Sequence, residues 1–302
     1  MDQIRYTPLY TSRYTNMSAF LKEEPDDQEV IPVFNIFKEP PRQIIRKRTI
    51  TVDFTTVTFS GLIPLNKINR EDIFGPIAES NWVVPGKLIA GAFPGYVSDL
   101  ETETSLITIL NSGVSKFVCM QEEYNIAVKE EDWRKNLYGR TSIVRPYFAD
   151  VQRIMKNKAI HPTLKTDVVN ATFDHCPIKD CSTVADEIVF NLAKDLVKAI
   201  HDGEVIYLHC WGGHGRTGVM VCLILHLMYG LTANEALERC QFLHDIRKMP
   251  IIVSSPQTFS QKDQVRRIIY NSLKEKGLLI EVKCKDDNTL TVDSDLDEYL
   301  YI

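Results

Sequence analysis

The chain has 302 residues, of which 44% are hydrophobic and 9% aromatic, values that suit a soluble protein with one sizeable core. Its formal net charge of −5 argues against general affinity for nucleic acid, and its longest apolar run, Val219 to Tyr229, is too short to span a bilayer. Its seven cysteines show no CxxC pair and no metal-ligand spacing, and no signal peptide is visible. We therefore expect a reducing cytoplasmic location, or a nuclear one, and no metal site.

Composition divides the chain into three parts. Residues 1–75 contain the loop-like Pro40-Pro41 and a β-like alternation from Thr49 to Phe59, which predict an N-terminal extension that is partly disordered or adds β-structure. Residues 76–280 alternate strand and helix patterns and are predicted to form the main domain. Residues 281–302 are predicted to form a flexible acidic tail, because Asp286 to Ile302 carries six acids and no base.

The first half of the main domain gives strand and helix signals in turn. Asn81 to Gly95 predicts a turn, a strand and a turn, and Ser98 is the expected N-cap of a helix ending at Gly113. Lys116 to Met120 predicts a short buried strand, and Asn125 to Tyr138 carries mixed charges at helical spacing.

The following connection, residues 140–169, is long and basic. It is interpreted either as a recognition insert beside the functional site or as a solvated connector. Its basic residues are Arg140, Arg145, Arg153, Lys156, Lys158 and Lys165.

The second half repeats the alternation more regularly. Strands are predicted at Ala171–Cys176 and Glu204–Leu208. Helices are predicted at Asp186–Ile200, at Val219–Tyr229, from the capping residue Thr232 through Ile246, and around Val265–Leu273. Alternating strands and helices indicate an α/β fold with a central, largely parallel sheet flanked by helices, in which ligands bind beyond the carboxyl ends of the strands.

A ten-residue segment, His209 to Gly218, carries the chemistry. Cys210 lies between the predicted strand and the predicted buried helix, where unpaired N–H groups and the helix dipole favour a thiolate. The glycines at 212, 213 and 215 allow a tight turn whose amides face inward, an arrangement that binds phosphate oxygens. Arg216 adds a planar charged fork for two of those oxygens.

The remaining residues of the segment have narrower predicted roles. Thr217 is expected to donate its hydroxyl to the sulfur and to ease its departure. His209 is expected to shape the loop rather than transfer protons. Trp211 and His214 complete the predicted substrate-binding set with Gly212, Gly213, Gly215 and Arg216.

The segment HCWGGHGRTG resembles the HCxxGxxR[ST]G signature of cysteine-dependent protein tyrosine phosphatases, and its glycine content is closest to the dual-specificity branch. The resemblance implies hydrolysis of phosphotyrosine, and also of phosphoserine or phosphothreonine, through a phosphocysteine. The implied partner is a phosphorylated protein, and no cofactor is needed.

Two further segments resemble parts of that family's site. Cys176-Pro177-Ile178-Lys179-Asp180 resembles the loop that carries the general acid, so Asp180 is the predicted acid, with Asp174 and Asp186 as rivals. Ser255-Pro256 predicts a helix start with Ser255 as N-cap. Gln257 after it resembles the glutamine that orients the hydrolytic water, with a polar helix face as the alternative.

Other functions remain open at this stage. Phosphoinositide and inositol phosphate phosphatases carry lysines where this loop has Trp211 and His214, although His214 could add a charge at mildly acid pH. A non-catalytic phosphate-binding module would lack the cysteine, the arginine or the acid. A sulfurtransferase would not need the Asp180 and Gln257 segments, and an RNA triphosphatase would need a basic surface. The sequence leaves the oligomeric state open.

Overall fold

A five-stranded sheet forms the centre of the described chain, which comprises residues 61–135 and 143–276 of a computed structural model. The sheet order is β1-β2-β5-β3-β4, with β1 antiparallel to β2 and the other three pairs parallel. The strands are β1 (Ser80–Val84), β2 (Leu88–Gly91), β3 (Lys116–Gln121), β4 (Thr172–Ile178) and β5 (Ile206–His209). The predicted α/β fold with a largely parallel sheet is therefore confirmed.

Helices cover both faces of the sheet. They are α1 (Asp99–Asn111), α2 (Glu130–Arg134), α3 (Phe148–Lys156), α4 (Asp186–His201), α5 (Gly215–Tyr229), α6 (Ala233–Asp245) and α7 (Phe259–Glu275). Buried side chains of α1 and α3 pack on one face, and those of α4 to α7 pack on the other.

The apolar run of β5 follows from this double coverage. Ile206 and Leu208 pack towards α5, whereas Tyr207 packs towards α1, and all three are fully buried. Because a strand buried on both faces has no solvated side, its sequence is a continuous apolar run. Helix α5 is buried from Gly215 to His226, as expected for the helix that follows the cysteine loop.

Side-chain caps fix three of the helix starts. Ser98 Oγ accepts from the Glu101 N–H before α1, which confirms the predicted cap. Thr232 and Glu235 form a reciprocal capping box at α6, again as predicted, and Thr258 forms one with Gln261 at α7.

The prediction that Ser255 and Pro256 begin the last helix is wrong. Helix α7 begins at Phe259, and the Ser255–Pro256 peptide is cis within the preceding loop. The sequence carries two competing start signals, and the capping box at Thr258 is the one that is used because it satisfies two backbone N–H groups at once.

Three other predictions need correction. Asn81–Gly95 forms a hairpin of two strands, because Pro85 and Gly86 (φ 71°) turn the chain between β1 and β2. The charged stretch after Asn125 forms only the five-residue α2 within the described residues. Residues 140–169 contain α3, whose Phe148, Val151 and Ile154 are buried.

The ends of the chain bear on the predicted domain limits. Residues from 61 onwards already pack against the main domain: Ile73 is buried in its core, and Arg239 of α6 donates to the Ile63 carbonyl at 2.9 Å. The predicted β-structure at Thr49–Phe59 and the acidic tail at 281–302 lie outside the described residues. In the described ranges, the helices are too short or too polar to cross a bilayer.

Candidate active site

The cysteine loop lies at the carboxyl end of β5, where a parallel α/β sheet places its ligands. Cys210 follows the last residue of β5 and is 3% exposed, and the loop ends at Gly215, the first residue of α5. Gly213 has a φ of 73°, and a β-carbon there would collide with the Gly91 carbonyl, so only glycine fits. The predicted strand, tight loop and helix N-terminus are thus all present.

Every carbonyl in the loop from 210 to 214 accepts a hydrogen bond from a group outside it. A carbonyl held from outside turns the N–H of the same trans peptide towards the inside, which is how a loop of amides can bind an anion. The donors are His209 Nδ1 for Cys210 O (3.2 Å), Phe93 N for Trp211 O (2.9 Å), Arg247 for Gly212 O (3.3 Å) and Gly213 O (2.7 Å), and Ser255 Oγ for His214 O (3.0 Å).

His209 takes the structural role that the sequence predicts. Its Nδ1 must carry the proton because its partner, the Cys210 carbonyl, can only accept, so Nε2 accepts from the Tyr147 hydroxyl at 2.6 Å. Burial lowers the pKa of His209 to about 3, and burial also holds the pKa of Tyr147 well above its usual value. The pair is therefore neutral and fixed.

Arg216 is held in a buried position by three oxygen atoms. Its Nη1 donates to Glu123 Oε2 at 2.9 Å and to the Ile178 carbonyl at 2.7 Å, and its Nη2 pairs with Asp180 Oδ1 at 2.9 Å. Burial opposes the charge, but the nearby Cys210, Glu123 and Asp180 outweigh it and raise the pKa of Arg216. The guanidinium is thus a preorganised cation beside the cysteine loop.

Asp180 is the aspartate that the fold brings to this arginine. Its two rivals are engaged elsewhere: Asp174 pairs with Lys116 at 3.2 Å, and Asp186 accepts from Arg267 and from Gln264 at the start of α4. The Asp180 side chain is 65% exposed, on a loop that follows β4. A carboxyl group that is exposed and yet touches the site can move to meet a leaving group.

Gln257 lies where the two functional loops meet. Its Oε1 accepts from the Cys181 thiol at 3.8 Å, next to Asp180, and it would lie 3.3 Å from a β-carbon on Gly215. The neighbouring Gln261 is fully buried and donates to the Ser182 carbonyl at 3.3 Å, which ties α7 to the Asp180 loop. Gln257 is therefore brought to the site, together with Gln261 of the same predicted segment.

Two residues of the loop, Thr217 and His214, lack in this structure a feature that the sequence analysis expects of them. Among the described residues, the Thr217 hydroxyl has no hydrogen-bond partner although it is fully buried, so the expected bond to the Cys210 sulfur is not made in this structure. His214 is half-buried against His244, with ring centroids 5.8 Å apart. Burial, followed by the charge of Arg247, lowers the pKa of His214, which opposes the positive charge expected of it at mildly acid pH.

Trp211 differs from the rest of the loop because its side chain reaches the surface. It is 41% exposed, although it directly follows the buried Cys210. Its ring stacks on Phe93 with centroids 5.7 Å apart and planes 20° apart, and Phe93 in turn packs edge-on against Tyr147. One face of the indole is thus held by aromatic neighbours beside the nucleophile.

Two basic residues of the connection, Arg145 and Lys158, are engaged by other parts of the structure. Arg145 is buried, pairs with Asp99 at 2.6 Å and with Asp150 at 2.7 Å, and lies over the Trp133 ring at 4.5 Å. Lys158 donates to two carbonyl groups of its own segment. These residues stabilise the connection, which favours the connector interpretation; Arg140 lies outside the described residues.

Glu123 and Arg247 are the main residues that the sequence analysis missed. Glu123 is the second residue after β3, at the same sheet edge as Cys210, so the rule for parallel sheets could have found it. Arg247 follows α6 and carries no comparable signal. Its role depends on how α6 packs against the loop.

Comparison with known proteins agrees with this geometry. Residues 147–264 match the family model described as PTP-SAK, Swiss Army Knife protein, DSP-PTPase phosphatase domain. This part of the chain is therefore similar to the dual-specificity-like cysteine-dependent phosphatases. Within that superfamily, the candidate tyrosine phosphatase 067L of Invertebrate iridescent virus 3 is 31% identical over 106 residues, which cover 33% of this chain and 42% of the viral protein. The aligned part of the chain thus spans less than half the length of that curated relative.

Solved phosphatase structures also resemble this chain. Tk-PTP in its active form gives a TM-score of 0.41 at 17% identity and covers 64% of this chain and 97% of that chain. Human DUSP28 gives a TM-score of 0.38 at 11% identity and covers 63% of this chain and 93% of its own. Kinase-associated phosphatase with its catalytic cysteine changed to serine gives a TM-score of 0.40 at 13% identity. It covers 64% of this chain and 89% of its own. These TM-scores are below 0.5 and carry no conclusion about the chemistry of this chain.

Proposed function

We propose that this chain is a protein phosphatase that hydrolyses phosphotyrosine through a phosphocysteine intermediate. The observation that carries the proposal is the Arg216 guanidinium, which is fixed between Glu123 and Asp180 and belongs to the same short loop as Cys210. A nucleophile, an anion-binding cation and an exposed carboxyl group thus converge at one helix N-terminus.

The first step transfers the phosphoryl group to the protein. The Cys210 sulfur attacks phosphorus, the bond between phosphorus and the ester oxygen breaks, and Asp180 gives its proton to the leaving oxygen. Arg216 and the inward amides hold the remaining phosphoryl oxygens, which concentrates the stabilisation on the transition state. For this step the phosphate must displace Asp180 from Arg216, and the exposure of Asp180 makes that displacement easy.

The second step releases inorganic phosphate. Water attacks phosphorus, the bond between phosphorus and sulfur breaks, and Asp180 takes a proton from the water. Gln257 is proposed to position that water, because it lies between the loop at Gly215 and the Asp180 segment. Thr217 is proposed to turn its partnerless hydroxyl towards the sulfur when the thiolate leaves.

Two observations support phosphotyrosine over polyphosphorylated substrates. Burial and the charge of Arg247 lower the pKa of His214, which disfavours a positive charge in the loop for a second phosphate. Trp211 offers an exposed aromatic face beside Cys210. A phenyl ring can stack on that face, whereas an inositol ring bearing several phosphates needs cations there.

The proposed setting is a reducing one, cytoplasmic or nuclear, because the mechanism needs a free thiolate. The six cysteines within the described ranges are all free, which agrees with such a setting.

The test measures hydrolysis of a phosphotyrosine peptide in EDTA by the wild type, Cys210→Ser, Asp180→Asn and the control Asp174→Asn. Cys210→Ser should abolish turnover, and Asp180→Asn should lower kcat by about 10²- to 10⁴-fold. The kcat of Asp174→Asn should stay near that of the wild type, because Asp174 pairs with Lys116. A folded wild type that hydrolyses only phosphoinositides would overturn the substrate class. One that binds oxyanions and turns over nothing would be a binding module.

A further inference from the structure

Arg247 is a buried arginine that contacts the cysteine loop from outside. It is 3% exposed and follows the end of α6. Its Nη2 donates to the Gly213 carbonyl at 2.7 Å and its Nη1 to the Gly212 carbonyl at 3.3 Å. Its Nε donates to Asn81 Oδ1 at 2.8 Å, and Asn81 is itself 1% exposed at the start of β1.

These contacts set the orientation of two peptide groups in the loop. The carbonyl of Gly212 shares a plane with the N–H of Gly213, and the carbonyl of Gly213 shares one with the N–H of His214. Because N–H and C=O point in opposite directions across a trans peptide, holding both carbonyls from outside turns both N–H groups inward. One rigid guanidinium can hold two such oxygens at a fixed spacing, which a lysine cannot do.

The sequence of the loop alone does not fix this shape, because glycine at 212 and 213 gives the backbone wide conformational freedom. Of its five outward carbonyls, from 210 to 214, Arg247 holds the two that belong to these glycines. Asn81 fixes the third donor of the guanidinium, so β1 and α6 together determine where the loop can lie.

The charge of Arg247 also reaches the site. After burial, it is the largest cause of the lowered pKa of both His214 and His244. A cation that disfavours protonation of His214, which belongs to the loop, must equally favour an anion bound at that loop.

We propose that Arg247 is a positioning residue, which holds the amides of Gly213 and His214 towards the phosphate and adds a second positive charge behind the loop. The proposal rests on the phosphatase function proposed above. Arg247 reaches the loop through the carbonyl groups of Gly212 and Gly213, so we expect it to act through the loop rather than on the substrate.

The test compares Arg247→Met and Arg247→Lys with the matched control Arg239→Met. Arg239 is also a buried arginine, 7% exposed, but its Nη1 donates to the Ile63 carbonyl, away from the loop. The readouts are the Kd for tungstate by calorimetry, the rate of Cys210 alkylation by iodoacetate at pH 6.5, kcat/KM for a phosphotyrosine peptide, and Tm.

Arg247→Met should weaken tungstate binding by about 10- to 100-fold, the loss typical of charged hydrogen bonds, and should slow alkylation and lower kcat/KM. The tungstate Kd of Arg247→Lys should lie between those of Arg247→Met and the wild type, because lysine keeps the positive charge but lacks the planar guanidinium that binds two carbonyl groups. Arg239→Met should lower Tm and leave the tungstate Kd unchanged.

Unchanged tungstate affinity in Arg247→Met, or an equal loss in Arg239→Met, would overturn the positioning role while leaving the phosphatase function intact. If Arg247→Met does not fold, Arg247→Lys decides the question. A tungstate Kd equal to that of the wild type in Arg247→Lys would show that the loop does not need one side chain that donates to both carbonyl groups. A wild type that binds no tungstate would contradict the phosphatase function itself, and the role of Arg247 with it.

Discussion

Asp180 and Arg216 form an ion pair of 2.9 Å between a side chain that is 65% exposed and one that is 2% exposed. The same Nη2 edge of the arginine is needed for a phosphate oxygen. The carboxylate therefore competes with an anion for the guanidinium, although it is also the proposed proton donor.

The first prediction separates these two roles of Asp180. Asp180→Asn should tighten tungstate binding by about two- to fivefold, the range that corresponds to an exposed ion pair, while it lowers turnover. Calorimetry with tungstate measures the first effect and peptide hydrolysis the second. Asp174→Asn is the control, since its partner is Lys116. Weaker tungstate binding in Asp180→Asn would show that the carboxylate does not compete with the anion.

The second prediction concerns the anchor of Arg216. Glu123, 24% exposed, accepts from Nη1 at 2.9 Å, and without that charge the guanidinium can turn away from the loop. Glu123→Gln should lower kcat/KM for a phosphotyrosine peptide by about 10- to 100-fold, as expected when a positioned charged contact is lost. The adjacent Glu122→Gln is the matched control because that side chain is exposed. Equal effects of the two substitutions would contradict the anchoring role.

The contrast between Cys210 and Glu123 shows what could be predicted from the sequence. The nucleophile, the glycines and Arg216 fall within one short segment between an apolar strand and an apolar helix, so local pattern is enough to identify them. Glu123 lies 93 residues from its partner Arg216, and Arg247 lies 34 residues from Gly213. Their roles depend on the packing of β3 and α6 around the loop, which no local pattern encodes.

Errors in the predicted elements have a similar physical origin. At residues 255–261 two helix-start signals overlap, and only the tertiary structure shows that Thr258 and Gln261 form the cap. Arg145 looked solvent-exposed because it is charged, yet Asp99, Asp150 and the ring of Trp133 together compensate its burial. Predictions from charge alone fail where partners distant in sequence pair with the charge.

The third prediction tests Trp211 as a determinant of substrate choice. Trp211→Ala should lower kcat/KM for a phosphotyrosine peptide by about three- to tenfold, the value of one aromatic contact, and should leave a phosphoserine peptide of the same sequence nearly unchanged. Trp211→Phe keeps a ring on Phe93 and should retain most of the preference. A parallel loss on both peptides would show that Trp211 supports the loop rather than the substrate ring.

The last prediction concerns stability at mildly acid pH. Burial lowers the pKa of His209 to about 3 and that of His244 to about 4, and it also lowers those of His214 and His226. Between these values and the usual histidine value near 6.5, the unfolded chain binds protons that the folded chain does not. The free energy of unfolding should therefore fall as the pH falls below 6.5, by up to about 1.4 kcal/mol per pH unit each for His209 and His244.

Denaturant titrations between pH 4.5 and 6.5 measure this slope in the range where the carboxylates do not interfere. The pKa values of Asp99 and Asp186 are lowered by their arginine partners, so their stabilisation is complete above pH 3.8 and is lost only at lower pH. His209→Gln should reduce the slope by about 1.4 kcal/mol per pH unit, because it removes the group whose protonation the fold opposes most strongly. The exposed His201→Gln, at the end of α4, is the control. If His209→Gln keeps the wild-type slope, then the imidazole is protonated in the folded state, and its Nε2 cannot accept a hydrogen bond from the Tyr147 hydroxyl.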